Sequence, residues 1–139
     1  MKPVFIKGGT HIDERGTLLF NNSFDATSVK RIYTIEHTST SFIRGWMGHE
    51  VEHRWFTVLQ GCFKIDVLAI TDWQQPDLRP EKAVTFILEA ESLDVLHIPP
   101  GHLFSLQAKE SPSRILVMAD RLLGADNDEH RYPAEAGRV

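Results

Sequence analysis

Between residues 54 and 70 two apolar-rich runs are separated by one glycine, Gly61, and this segment constrains the fold more than any other. Arg54-Trp55-Phe56-Thr57-Val58-Leu59-Gln60 is rich in aromatic and β-branched residues. Beyond the glycine, Phe63, Ile65, Val67 and Ala69 alternate with Cys62, Lys64 and Asp66. A period of two marks a half-buried strand, because successive side chains point to opposite faces of a sheet. Similar runs recur at 17–20, 29–36, 42–46, 84–88, 95–98, 103–108 and 114–119, with turn signals between them. About nine short strands and few helical patterns predict an antiparallel sandwich or barrel. Residues 71–82, which hold Pro76 and Pro80, read as an exposed loop, and 121–125 as one helical turn. Residues 126–139 read as a polar tail that either folds over a barrel mouth or frays.

Composition narrows the function classes. A chain of 139 residues makes one domain that buries roughly two thirds of its unfolded surface. The net charge of -4 argues against nucleic-acid binding, which calls for a basic face, but leaves room for a small anion held by a few arginines. A lone cysteine, Cys62, has no disulfide partner within the chain, so a reducing cytoplasm is the expected setting. The first residues carry no long apolar segment, and no apolar run approaches the length of a spanning helix. Neither a signal peptide nor a membrane span is expected.

The densest chemistry lies at 44–56. His49-Glu50-Val51-Glu52-His53 matches H-E-x-x-H, a zinc motif that works only on a helix, where residues four apart share a face. A helix there would begin after Gly48 and stop within about two turns, with no apolar stripe of period 3.6. The strand-like flanks favour the other reading. In it, Met47-x-His49, then Arg54 after four residues and Gly61 after six more, has the spacing of the first cupin motif, H-x-H then Glu then Gly.

Other pieces follow in a consistent order. Asp13-Glu14-Arg15-Gly16-Thr17-Leu18, Lys30-Arg31-Ile32-Tyr33, Arg44-Gly45, Ile98-Pro99-Pro100-Gly101 and the acidic, tyrosine-containing stretch 126–132 span most of the chain. Together they resemble the cupin-fold sugar-nucleotide isomerases and epimerases. The likeness is greatest to the dTDP-4-keto-6-deoxyhexose 3,4-ketoisomerases (the WxcM-like group). It is more distant to the RmlC-like dTDP-4-dehydrorhamnose 3,5-epimerases. The resemblance implies an all-β fold, a single antiparallel double-stranded β-helix (cupin or jelly-roll barrel) over 1–139 with 126–139 as its tail. It also implies a nucleotide-diphosphate sugar as ligand, no cofactor and a homodimer.

The departures fall on the chemistry. Where the ketoisomerases carry R-G-x-H-x-H, the first histidine is Met47 and only His49 remains; the epimerases place their base at the position of Met47. The positions that hold metal in other cupins read Met47, His49, Arg54 and Phe104. A thioether, a guanidinium and a phenyl ring cannot rebuild an oxygen and nitrogen shell, so no metal is expected.

His49 is the candidate base for a proton beside a sugar ketone, or else a satisfied polar core residue. Tyr33 serves the sugar oxygen or packs on its strand. Arg44 suits a diphosphate, with Gly45 beside it permitting close approach, and Arg15 is a second phosphate candidate in what is also an ordinary turn. Arg31 and Arg54 either line the cavity or pair with a carboxylate such as Glu36 or Glu52. Met47 either packs against the sugar or signals lost activity. Trp46 and Trp55 stack on a ligand or fill the core. His53 either shares the cavity with His49 or lies at its rim, and His11, His37 and His130 read as solvated loop residues. Two functions stay open: an isomerase or epimerase, and a catalytically inactive module binding the same ligand.

Overall fold

The computed structural model describes residues 1–137, and its regular structure is almost entirely strand. The elements are β1 (Val4–Ile6), β2 (Gly9–Asp13), β3 (Gly16–Phe20), β4 (Arg31–His37), β5 (Ile43–His49) and β6 (Arg54–Gln60). After them come β7 (Cys62–Ala69), β8 (Val84–Glu89), β9 (Val95–Ile98), β10 (His102–Ala108), β11 (Ser113–Ala119) and β12 (Glu129–Arg131). Two antiparallel five-stranded sheets, ordered β1-β9-β6-β11-β4 and β12-β5-β10-β7-β8, pack face to face, and β2-β3 forms a separate hairpin. No helix among the described residues is long and apolar enough to cross a membrane.

The alternation in the sequence becomes the inside and outside of the barrel. Phe56 and Val58 of β6, Ile115 and Val117 of β11, and Leu96 and Ile98 of β9 meet Phe63, Ile65 and Val67 of β7 and Phe104 and Leu106 of β10. Phe56 and Phe104 touch edge to face, their centroids 5.1 Å apart. The turn between β6 and β7 needs its glycine. Gly61 has φ +75°, and a Cβ there would lie 2.1 Å from the Ser113 hydroxyl, which itself accepts the Cys62 N–H.

Three strands escape the period-two pattern. β1 and β12 have three residues each, and β2 is mostly polar; each is a strand because a neighbouring segment completes its ladder. The loop after β7 is mostly exposed, as its prolines suggest, but two of its apolar side chains are half-buried. Trp73 and Leu78 pack with Tyr132 and Ala136 of the tail against Trp46, Leu68 and Leu103 on the outer face of the second sheet. The tail is ordered there, with Tyr132 and Trp46 exchanging backbone hydrogen bonds and the Tyr132 hydroxyl donating to the Trp73 carbonyl. Residues 121–125 make a turn at Leu122 and Ala125, not a helix. His37 is also not a loop residue: it is buried at the end of β4 against Phe42 and Phe63.

Candidate active site

His49 is the last residue of β5, and the segment after it is a tight connection to β6, so H-E-x-x-H never forms a helical face. Along β6 the residues inward of the sheet are Arg54, Phe56 and Val58, and Trp55 points to the other face. Register places Met47 opposite Phe104 and His49 opposite His102. On β4, Tyr33 faces the same interior as Ile35. The result is a cavity of about 520 Å³, lined on the barrel side by Arg31, Tyr33, Arg44, Met47, His49, Glu52 and Arg54. Residues 122–124 and 126–129 of the tail, with Arg131, close its other side. The size lies within the ordinary range for small-molecule sites. A neighbouring cavity of about 450 Å³, with Phe42 and Tyr132 in its wall, shares Arg44, Met47 and Arg131 with the first.

The charges are ordered by short contacts. Asp128 in the tail accepts the backbone N–H groups of Val51 and Glu52 on one oxygen, at 2.8 and 3.0 Å. Its other oxygen faces His49 Nδ1 at 3.4 Å. Burial pushes the Asp128 carboxyl up, but those two N–H groups and His49 outweigh it and hold the group below the ordinary carboxylate value. His49 moves the other way. Burial and the Arg54 charge hold its imidazole below the ordinary value, against the opposing pull of Glu52 and Asp128. A neutral ring that gives its Nδ1 proton toward Asp128 leaves Nε2 as a free lone pair. Nε2 makes no hydrogen bond, since its 3.4 Å approach to Glu52 is not aligned as one.

Arg54 is the hub on the far side of Glu52 from His49. Its Nε donates to Glu52 at 2.6 Å and its Nη1 to the Tyr33 hydroxyl at 2.5 Å. Because Arg54 occupies a lone pair of that phenol oxygen, the Tyr33 O–H proton is free to point to a ligand. The Arg31 guanidinium sits over the Tyr33 ring, 5.1 Å from its centroid. Arg44 is exposed at the junction of the two cavities, and its guanidinium makes no ion pair or hydrogen bond among the described residues. The role of Gly45 differs from the sequence expectation: a Cβ there would lie 2.7 Å from the Phe104 carbonyl, so the glycine admits β10, not a ligand.

The cavity therefore gathers Arg31, Tyr33, Arg44, Met47, His49 and Arg54 and leaves out Arg15, Trp46, Trp55 and His53. Arg15 is exposed at the tip of the β2-β3 hairpin, paired with Asp13 at 2.6 Å. Trp55 belongs to an outer cluster with Val95 and Met118, flanked by Phe24. His53 stacks on Trp55 and His97, with 2.8 Å between His53 Nδ1 and His97 Nε2. Sequence reasoning missed Asp128 and Arg131, and named Glu52 only as a partner for arginine; the acidic tail was the one signal for Asp128. No group of three or more His, Cys, Asp or Glu side chains among the described residues is placed to hold a metal ion.

Similar folds are known in solved structures. The sugar 3,4-ketoisomerase QdtA from Thermoanaerobacterium thermosaccharolyticum, in complex with TDP, superposes with a TM-score of 0.72 at 20% identity, over 99% of this chain and 98% of that one. A 3,4-ketoisomerase from Helicobacter canadensis gives 0.70 at 19% identity, over 99% and 96%. The RmlC epimerase of Mycobacterium tuberculosis gives 0.74 at 17% identity, over 96% of this chain and 70% of that one. No protein-family model matches the sequence, and no curated protein matches it. The fold is the cupin-type barrel shared by the dTDP-sugar isomerases and epimerases.

The pH dependence of stability follows from the histidines. His37, His49 and His97 are each held below the ordinary imidazole value of 6.5, chiefly by burial. The unfolded chain therefore binds more protons as pH falls, so stability is full above that value and is lost as pH drops through the folded values. Urea unfolding at about pH 8, 6.5 and 5 should show stability falling toward the acid end, less steeply in His49→Gln. A flat profile, or one rising toward the acid end, contradicts this account of the buried rings.

Proposed function

We propose that this chain is a metal-independent cupin isomerase acting on a nucleotide-linked keto-deoxysugar, moving a proton between carbons beside the ketone. One observation carries the reading: a neutral His49, held at Nδ1 by Asp128, has a buried Nε2 with no hydrogen bond, beside a cavity that Tyr33 and Arg54 also line. His49 takes the carbon-bound proton, Tyr33 gives its proton to the ketone oxygen, and the buried Arg54 stabilises the negative charge that develops there. The ketoisomerase form of this chemistry is favoured over the epimerase form, because Met47 stands where the epimerases place their base.

The two cavities meet at Arg44 and Arg131, which suits a diphosphate bridging a sugar beside His49 and a base in the second cavity. This takes the phosphate role proposed for Arg15 and gives it to arginines that line the cavity. A homodimer is part of the reading. The β2-β3 hairpin leaves Ile12 71% and Leu18 60% exposed, and a two-stranded sheet is marginal alone. A second copy covering it should sediment as a dimer; a monomer at micromolar concentration removes the dimer from the proposal.

The rival is a binding module without turnover, favoured by Met47 in place of the first histidine. Arg44→Ala should weaken dTDP binding by roughly 1.5–3 kcal/mol in calorimetry, with the fold unchanged. Equal affinity would mean that Arg44 does not hold phosphate. His49→Asn, which cannot act as a base at neutral pH, should slow interconversion of a 4-keto-6-deoxy sugar nucleotide by about a hundred- to ten-thousandfold while still binding it. Tight binding of such a compound by the wild type, with no isomer formed in NMR spectra, would decide for the module.

A further inference from the structure

His49 has an anion at each ring nitrogen. Asp128 faces Nδ1 and Glu52 faces Nε2, each across 3.4 Å. Arg54 secures Glu52 from the far side through the same oxygen that approaches His49. The side chains are almost dry, 6% exposed for His49, 7% for Glu52 and 5% for Arg54. Asp128 also fixes Glu52 in place, since it accepts the Glu52 backbone N–H. Nothing in the reaction outlined above uses Glu52. A carboxylate in so dry a position is costly unless its charge is matched.

The match depends on the state of His49. Beside a neutral Nε2 the carboxylate has no positive charge to meet on the ring; beside an imidazolium it has one across 3.4 Å. At rest, burial and Arg54 keep the ring neutral. Once the ring accepts a proton, two fixed anions already stand at its nitrogens, and no side chain must move to stabilise the charge.

We propose that Glu52 is a positioning residue that holds the proton taken up by His49 away from water, so that the same proton returns to the substrate. The inference rests on the keto-sugar reading. In the forward half, the proton of the carbon beside the ketone goes to Nε2 and its electron pair forms the double bond of an enediol. Tyr33 meanwhile protonates the ketone oxygen and becomes a phenolate. In the return half, the proton held on His49 Nε2, with Glu52 beside it, goes to the former carbonyl carbon. The neighbouring hydroxyl gives its proton to the Tyr33 phenolate and becomes the new ketone, so nothing is consumed.

The test uses a sugar nucleotide deuterated at the carbon beside its ketone, turned over in ordinary water. Wild type should carry most of the label into the product. Glu52→Gln keeps the shape and an acceptor for Arg54 but loses the anion. It should turn over about ten- to a hundredfold more slowly and release most of the label to water. Glu52→Asp should regain part of the retention. An NMR titration of the His49 ring without ligand gives a readout independent of turnover: its midpoint should fall in Glu52→Gln. Turnover by wild type with the label washed out overturns the proposal and leaves the keto-sugar reading standing. Equal label retention in Glu52→Gln, or an unmoved His49 midpoint, also overturns it. Absence of turnover by wild type with every keto-sugar nucleotide offered overturns both.

Discussion

The site depends on one carboxylate. Asp128 lies in the tail, far along the chain from everything it touches, yet it ties the end of β5, the connection to β6 and the His49 ring to one another. A four-residue connection leaving a sheet carries backbone N–H groups that no ladder satisfies, here one exposed at Val51 and one half-buried at Glu52. Asp128 satisfies two of them at once. The N–H donors keep it ionised, and an ionised Asp128 selects the His49 tautomer with its proton on Nδ1. Chain topology and acid–base state thus rest on the same bonds.

The Arg54–Glu52 pair is the second constraint. Two buried charges rarely stabilise a fold relative to apolar residues of the same size, because desolvation offsets their attraction. Here the pair is tied into more contacts: Arg54 donates also to Tyr33, and Glu52 faces His49. The tail shares the work of enclosure by adding β12 to the edge of the second sheet opposite His49, Gly48 and Met47. Removing one member of the pair should cost more than the pair contributes, since its partner would be left charged in a dry wall.

Much of the barrel was legible because period two is a local signal. Each residue from Arg54 to Ala69 reports its face through its neighbours, and the main core follows from that alternation. The same rule explains why Trp55 lies outside the cavity: if Arg54 faces in, the next residue of the strand faces out. Short or polar strands such as β1, β2 and β12 give no such signal, because their ladders are completed by distant residues. The Asp128 contacts span 76 to 79 residues, beyond any pattern in a single sequence. Glu52 was visible as a possible arginine partner, but not its approach to His49, which depends on how tightly the connection after β5 turns.

Met47 bears on the choice between the two proposed functions. A paired histidine at that position would place a second imidazole on the cavity wall; a methionine packs there against the apolar core instead. Losing one imidazole does not remove acid–base capacity when a carboxylate stands by the other. A binding site for an anionic sugar nucleotide gains nothing from a buried Glu52 and a half-buried Asp128, which repel the ligand and are costly to desolvate. Glu52 and Asp128 around His49 therefore favour proton chemistry over binding alone. The arginines suit a diphosphate under either function, whereas the acids make physical sense where a positive charge must appear and disappear on the imidazole.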